Sequence, residues 1–242
     1  MKFNRLVLSV LIFPACLLPC IRSNAQQVSD SANNTEAISQ FRQTYFKEIG
    51  DNAQIYHGTE YIRYGQKVVG FPYFESDSML YGVISYQGTL YPNRKLFYNL
   101  VSDELIIQNL AQGELINLSP EKTDSFTIYD HHFVKLTHVS PQMTAGYYDQ
   151  LSYGEPSLYA KREKRLVTGA GNEEIKYIQY NSYFLKKGTA YLSVGDKKSL
   201  LAVFQDQADA VKKYIRSNKL NFKKNLEKSL VMTTIYYSQL KH

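Results

Sequence analysis

From Tyr56 to about Val194, hydrophobic and polar positions alternate with a period of two, and towards the end the period lengthens to three or four. Alternation marks strands with one buried face, and the longer period marks one-sided helices. Leu80-Tyr81-Gly82-Val83-Ile84-Ser85-Tyr86 runs into Gln87-Gly88, a turn pair, and the pattern resumes at Leu90-Tyr91. Further strands are predicted at 95–101, 104–108 and 114–118, then, past a turn at 119–123, at 125–129 and 132–137. Residues 146–153 and 157–167 follow, and a hairpin in which Tyr183-Phe184-Leu185 and 191–194 flank Lys186-Lys187-Gly188. Connections this short leave no room for crossover helices, so the sheet is antiparallel rather than a parallel α/β sheet.

Helical periodicity closes the chain. Leu200, Phe204, Ala208, Val211 and Ile215 trace one stripe, with Gly195-Asp196 before it as a cap. Leu220-Asn221-Phe222 interrupts it, and Leu226, Leu230, Thr233 and Tyr237 make a second stripe. A short helix is also predicted at 35–48, where Ile38, Phe41, Tyr45 and Ile49 recur behind Asn34 or Thr35. The expected fold is α+β and mainly β: a curved antiparallel meander, a half-barrel, with two C-terminal helices (about 198–240) packed on it. Residues 35–242 form one domain.

The first residues read differently. Met1-Lys2-Phe3-Asn4-Arg5 is basic, 6–18 is almost wholly apolar, and Ser23-Asn24-Ala25 is small. That order is a secretory signal, cut after Ala25 and too short in its apolar run to stay as a membrane span. Residues 26–34 then form a polar leader. Cys16 and Cys20 both lie in the signal, and the residues before them are poor lipidation sites, so the exported chain has no thiol. Its length lets it bury a core without disulfide staples.

Of the 28 basic and 22 acidic residues, Lys2, Arg5 and Arg22 lie in the signal, so the exported chain carries only +3. This mild charge argues against a nucleic-acid partner. The charge is uneven: residues 26–196 carry −4 and 197–242 carry +7. Either basic helices dock on an acidic β body, or their basic face makes a weak contact with an anionic membrane. The run Lys161-Arg162-Glu163-Lys164-Arg165 reads as an edge strand blunted by charge rather than a nucleic-acid patch. The 21 tyrosines suit both strands and interfaces.

Candidate chemistry is sparse. Asp130, His131 and His132, with His138 beyond, are the best metal-ligand cluster, but His132 and His138 stand about 20 Å apart on an extended strand. His131 and His132 point to opposite faces, so a turn aspartate followed by one buried and one exposed histidine is expected, with no metal or other cofactor. No nucleophile elbow or zinc-protease motif occurs, and Thr168-Gly169-Ala170-Gly171-Asn172 lacks the lysine of a phosphate-binding loop.

The stretches 80–91, Leu96-Phe97-Tyr98-Asn99-Leu100-Val101-Ser102-Asp103-Glu104-Leu105, Gly146-Tyr147-Tyr148-Asp149-Gln150-Leu151 and the helical end from Lys198 to Leu240 stand out together. As a set they resemble a family of exported Gram-negative bacterial envelope proteins with no assigned function. The resemblance implies a periplasmic, outer-membrane-associated or secreted location and carries no catalytic residues. The expected function is a non-catalytic module that binds an envelope protein or a surface glycan. Two alternatives stand beside it: a periplasmic carrier of an apolar small molecule in the curved sheet, and a hydrolase with carboxylates that no motif marks.

Overall fold

A computed structural model describes residues 54–63, 68–109, 113–137, 143–169 and 174–241. The signal, the cut after Ala25, the leader, the 35–48 helix and His138 lie outside these residues.

Among the described residues eleven strands form one open sheet in the order β1-β5-β4-β3-β2-β6-β7-β8-β9-β10-β11, every neighbouring pair antiparallel. The strands are β1 (Thr59–Glu60), β2 (Leu80–Tyr86), β3 (Thr89–Asn99), β4 (Glu104–Gln108), β5 (Leu115–Asn117), β6 (Thr123–Ile128), β7 (His131–Leu136), β8 (Gly146–Ser152), β9 (Ser157–Thr168), β10 (Ile175–Lys187) and β11 (Ala190–Ser193). Gln87 and Gly88 both take positive φ, 51° and 73°, the tight turn whose twist suits a two-residue hairpin between β2 and β3. Two connections depart from a meander: β1 pairs with β5 rather than with β2, which follows it in the chain, and β6 does not pair with β5. After β5 the chain passes through a 3-10 turn at Pro120–Lys122 and returns to pair β6 with β2.

The sheet curls strongly. On a flat sheet β3 and β8 stand four strand spacings apart, about 19 Å. The Tyr98 ring of β3 and the Tyr147 ring of β8 nevertheless have centroids 6.0 Å apart. They meet Phe126 of β6 and Phe133 of β7 on the concave face, where Phe126 and Phe133 stack at 4.9 Å. Such ring pairs each add about 0.5–1.5 kcal/mol beyond the area they bury. The segment before β2 ties the curl: Val69 bonds the backbone of Ile175 and Tyr177 on β10, and Pro72 and Phe74 bond that of Leu100 and Tyr98.

Three helices, not two, cover β8 to β10: α1 (Lys197–Val203), α2 (Ala208–Ser217) and α3 (Leu226–Gln239). Asp196 caps α1 by accepting from the Ser199 N–H, and Ser199 returns the bond to the Asp196 backbone. The stripe from Leu200 to Ile215 is broken at Phe204, where a 3-10 turn at Gln205–Gln207 re-aims the chain. The turn is held there because Asp206 accepts from the Tyr237 hydroxyl and pairs with Lys187 and Lys241. Phe204 thereby stacks on Tyr237 at 4.0 Å inside a core shared by Leu158, Ala160, Leu185, Val211, Ile215 and Leu230.

Candidate functional site

His131 opens β7 at the rim of the concave face, and Asp130 precedes it in the turn with its side chain in solvent. His131 pairs across the sheet with Ile128 and His132 with Thr127, so the two imidazoles leave opposite faces. The His131 Nδ1 lies 2.6 Å from Asp149 Oδ2, and its ring meets Phe74 edge-on at 5.0 Å. Among the described residues no group of three or more His, Cys, Asp or Glu side chains gathers as a metal site. His131 is committed instead to a buried polar chain.

Asp149 anchors that chain. Its Oδ2 also accepts from Arg162 Nε at 2.8 Å, and the other end of the guanidinium donates to both carboxylate oxygens of Glu227 on α3, at 3.0 and 3.1 Å. The Tyr183 hydroxyl donates to Glu227 as well. Asp149 and Arg162 are almost wholly buried, so the sheet and α3 are joined by ions taken out of water. The hydrogen bond to Asp149 raises the pKa of His131 against the opposing effect of burial. Burial opposes the charge on Arg162, but the bonds to Glu227 and Asp149 outweigh it and hold its pKa above the ordinary value.

The run 161–165 is therefore no blunted edge. β9 lies between β8 and β10, and its charges alternate because each face offers partners. Lys161 donates to Asp103 Oδ2 at 2.7 Å and to the Tyr147 carbonyl. Arg162 meets Asp149 and Glu227 on the other face. Lys164 donates to the Phe71 and Tyr73 carbonyls and lies 4.1 Å over the Phe71 ring, and burial lowers its pKa. Sequence reasoning missed this chain because its partners lie 58 and 65 residues away along the backbone.

A cleft lies elsewhere, of about 790 Å³, between the segment leading from β1, the segment at 68–73, the β3–β4 turn and the outer ends of β9 and β10. Its lining includes Glu60, Tyr61, Arg63, Asp77, Asn99 and Glu104, and none of His131, Asp149, Arg162 or Glu227. Of the rings that line it, Phe71 and Tyr73 each have a face covered. Tyr73 stacks on Phe97 at 4.0 Å, Arg63 lies over both, and the Tyr61 hydroxyl bonds that of Tyr73. The rim is apolar: Ile62 is 66 % exposed, and Val101 and Leu166 are each 47 % exposed.

No family model, curated protein or solved structure matches the chain.

Proposed function

We propose that the protein is an exported, non-catalytic envelope module whose cleft binds a segment of another protein. The observation that carries this reading is the rim: Ile62, Val101 and Leu166 leave three large aliphatic side chains in water around one concavity. Apolar side chains scattered singly need no explanation, but their clustering around a cleft is the mark of an interface. A glycan site would offer free aromatic faces to sugar rings. Here Phe71 and Tyr73 each have a face taken, by Lys164 and by Phe97, which leaves Tyr61 and Tyr177 as the other rings of the lining. The concave face of the sheet, where an apolar ligand would ride, is filled by Tyr98, Phe126, Phe133 and Tyr147. Asp103 and Asp149 are each bonded to a cation, Lys161 and Arg162.

Photo-crosslinking in a host cell tests this directly. A photoreactive residue at Leu166 is expected to give discrete protein adducts that vanish when Val101→Asp is added, while the same residue at Leu90, exposed away from the cleft, gives none. Glycan-array binding lost in a Tyr73→Ala variant, with no protein adduct at Leu166, would move the reading to a glycan. Adducts equal at both positions would overturn it.

A further inference from the structure

The helical end carries a second surface, independent of the cleft. Between 213 and 228 stand Lys213, Arg216, Lys219, Lys223, Lys224 and Lys228, all exposed. Glu227 is the single acid in that stretch, and it is consumed by Arg162 and Tyr183. The other acids of 197–241 are occupied too: Asp206 by Lys187, Lys241 and Tyr237, and Asp209 by Lys212. Among the described residues, none of the six cations has an ion-pair partner. The basic helices do not dock by charge on an acidic body. Each ion pair between sheet and helical end among the described residues runs the other way, with the cation on the sheet (Arg162, Lys187) and the acid on the helical end (Glu227, Asp206).

The geometry turns this charge outward. Val211 and Ile215 are the buried side of α2, and at 100° per residue Lys213 and Arg216 fall on the opposite side. Likewise Lys228 falls opposite Leu230, Thr233 and Tyr237 of α3, in line with Ile235, which is 43 % exposed. Lys219, Lys223 and Lys224 occupy the connection between the two helices, where Asn221 holds the backbone N–H groups of Lys223 and Lys224. Beside them Tyr214 and Tyr236 stack at 4.0 Å.

We infer that this α2–α3 face rests on a membrane surface rich in anionic lipid headgroups. Uncompensated cations set next to tyrosines and an exposed isoleucine match the boundary between headgroups and acyl chains, whereas a polyphosphate chain would have no use for the isoleucine. The attraction is peripheral and electrostatic, because the apolar sides of α2 and α3 are already committed to the core.

The test is co-sedimentation of the full chain with vesicles of phosphatidylcholine alone or mixed with phosphatidylglycerol. Lys2, Arg5 and Arg22 add to binding of the mixed vesicles by the full chain and by any variant that keeps them, so the part of the excess that belongs to the α2–α3 face is read as the difference between the chain and the triple variant. Binding is expected to be stronger to the mixed vesicles and to lose that excess at high salt. Lys219→Gln, Lys223→Gln and Lys224→Gln together are expected to cut the excess about a hundredfold, at about fivefold for each side chain near an anionic surface. An unchanged melting temperature shows that the triple variant is folded. Equal binding to both vesicles, or an excess untouched by the triple variant, overturns the inference. So does tighter capture by a short DNA duplex that competes with the mixed vesicles, since the surface would then be a general polyanion site.

Discussion

Gly146 opens β8 at φ 147°, and a Cβ added there would stand 2.1 Å from Asp103 Oδ2 and 2.6 Å from Lys161 Nζ. Neither atom is free to retreat. Asp103 accepts from the Tyr98 hydroxyl at 2.6 Å and from the Tyr147 N–H, and Lys161 is buried with Asp103 as its counter-ion. Substituting Gly146→Ala therefore strains the backbone and separates a buried ion from its partner. The expected loss is about 3 kcal/mol in urea unfolding, within the range of such combined lesions. Gly195→Ala is the control, because no atom lies within 4 Å of the added carbon and its φ is not positive; it should leave the midpoint nearly unchanged. The sequence reads Ser102-Asp103 as a turn, and so it is, with Asp103 at φ 60°. That the turn aspartate also holds a lysine of β9 depends on contacts across the curl, which no local pattern records.

At the scale of elements, most of the sheet was legible because its strands obey local rules. Alternation, the Gln87-Gly88 turn and the cap at Asp196 are written within a few residues of one another, and the structure places strands and a helix there. β1 and the first part of β10, 175–182, were not predicted, and two further features were not legible. The helical stripe from Leu200 to Ile215 keeps its spacing through Phe204, yet the helix stops, because Asp206 is pinned by residues from β10 and the far end of the chain. β9 is a strand where one was predicted, but it lies inside the sheet and not at an edge. Charge on both faces looks the same in sequence whether the faces meet water or buried acids. The difference is measurable. Arg162→Met leaves Glu227 without its cation and Asp149 with His131 alone, and should cost about 4 kcal/mol in denaturant unfolding. Arg165→Met, three positions on with its side chain 64 % exposed, should cost under about 0.5 kcal/mol. A similar cost at both positions would mean that α3 is not held to the sheet through Arg162.

For the whole molecule, the ionic chain between sheet and helices sets how stability depends on pH. His131 has its pKa raised above the ordinary value of 6.5, chiefly by the hydrogen bond to Asp149, so the folded chain binds that proton more tightly than the unfolded chain does. Stability from this pair is fully present below the unfolded value and is lost as pH rises through the folded one. Asp206 runs the other way. Its pKa is lowered, first by the hydrogen bond from Lys241 and then by that from Tyr237, so its contribution is present above the unfolded value and falls away in acid. Between the two windows both charged clusters are in place: Asp206 of the 3-10 turn ionised against Lys187 and Lys241, and His131 protonated against Asp149, the carboxylate that also holds Arg162. Unfolding midpoints of the full chain should therefore decline as pH rises beyond about 6.5, the ordinary histidine value. In His131→Gln that decline should flatten, because glutamine keeps a donor for Asp149 but has no proton to lose in this range. Phe74→Leu, which removes the ring that meets His131 and Phe133 edge-on and lies under the Arg162 guanidinium but leaves the His131–Asp149 bond, should lower the midpoint at every pH and keep the slope. A decline that survives His131→Gln would assign the titration to another group and leave the Asp149 contact without a part in it.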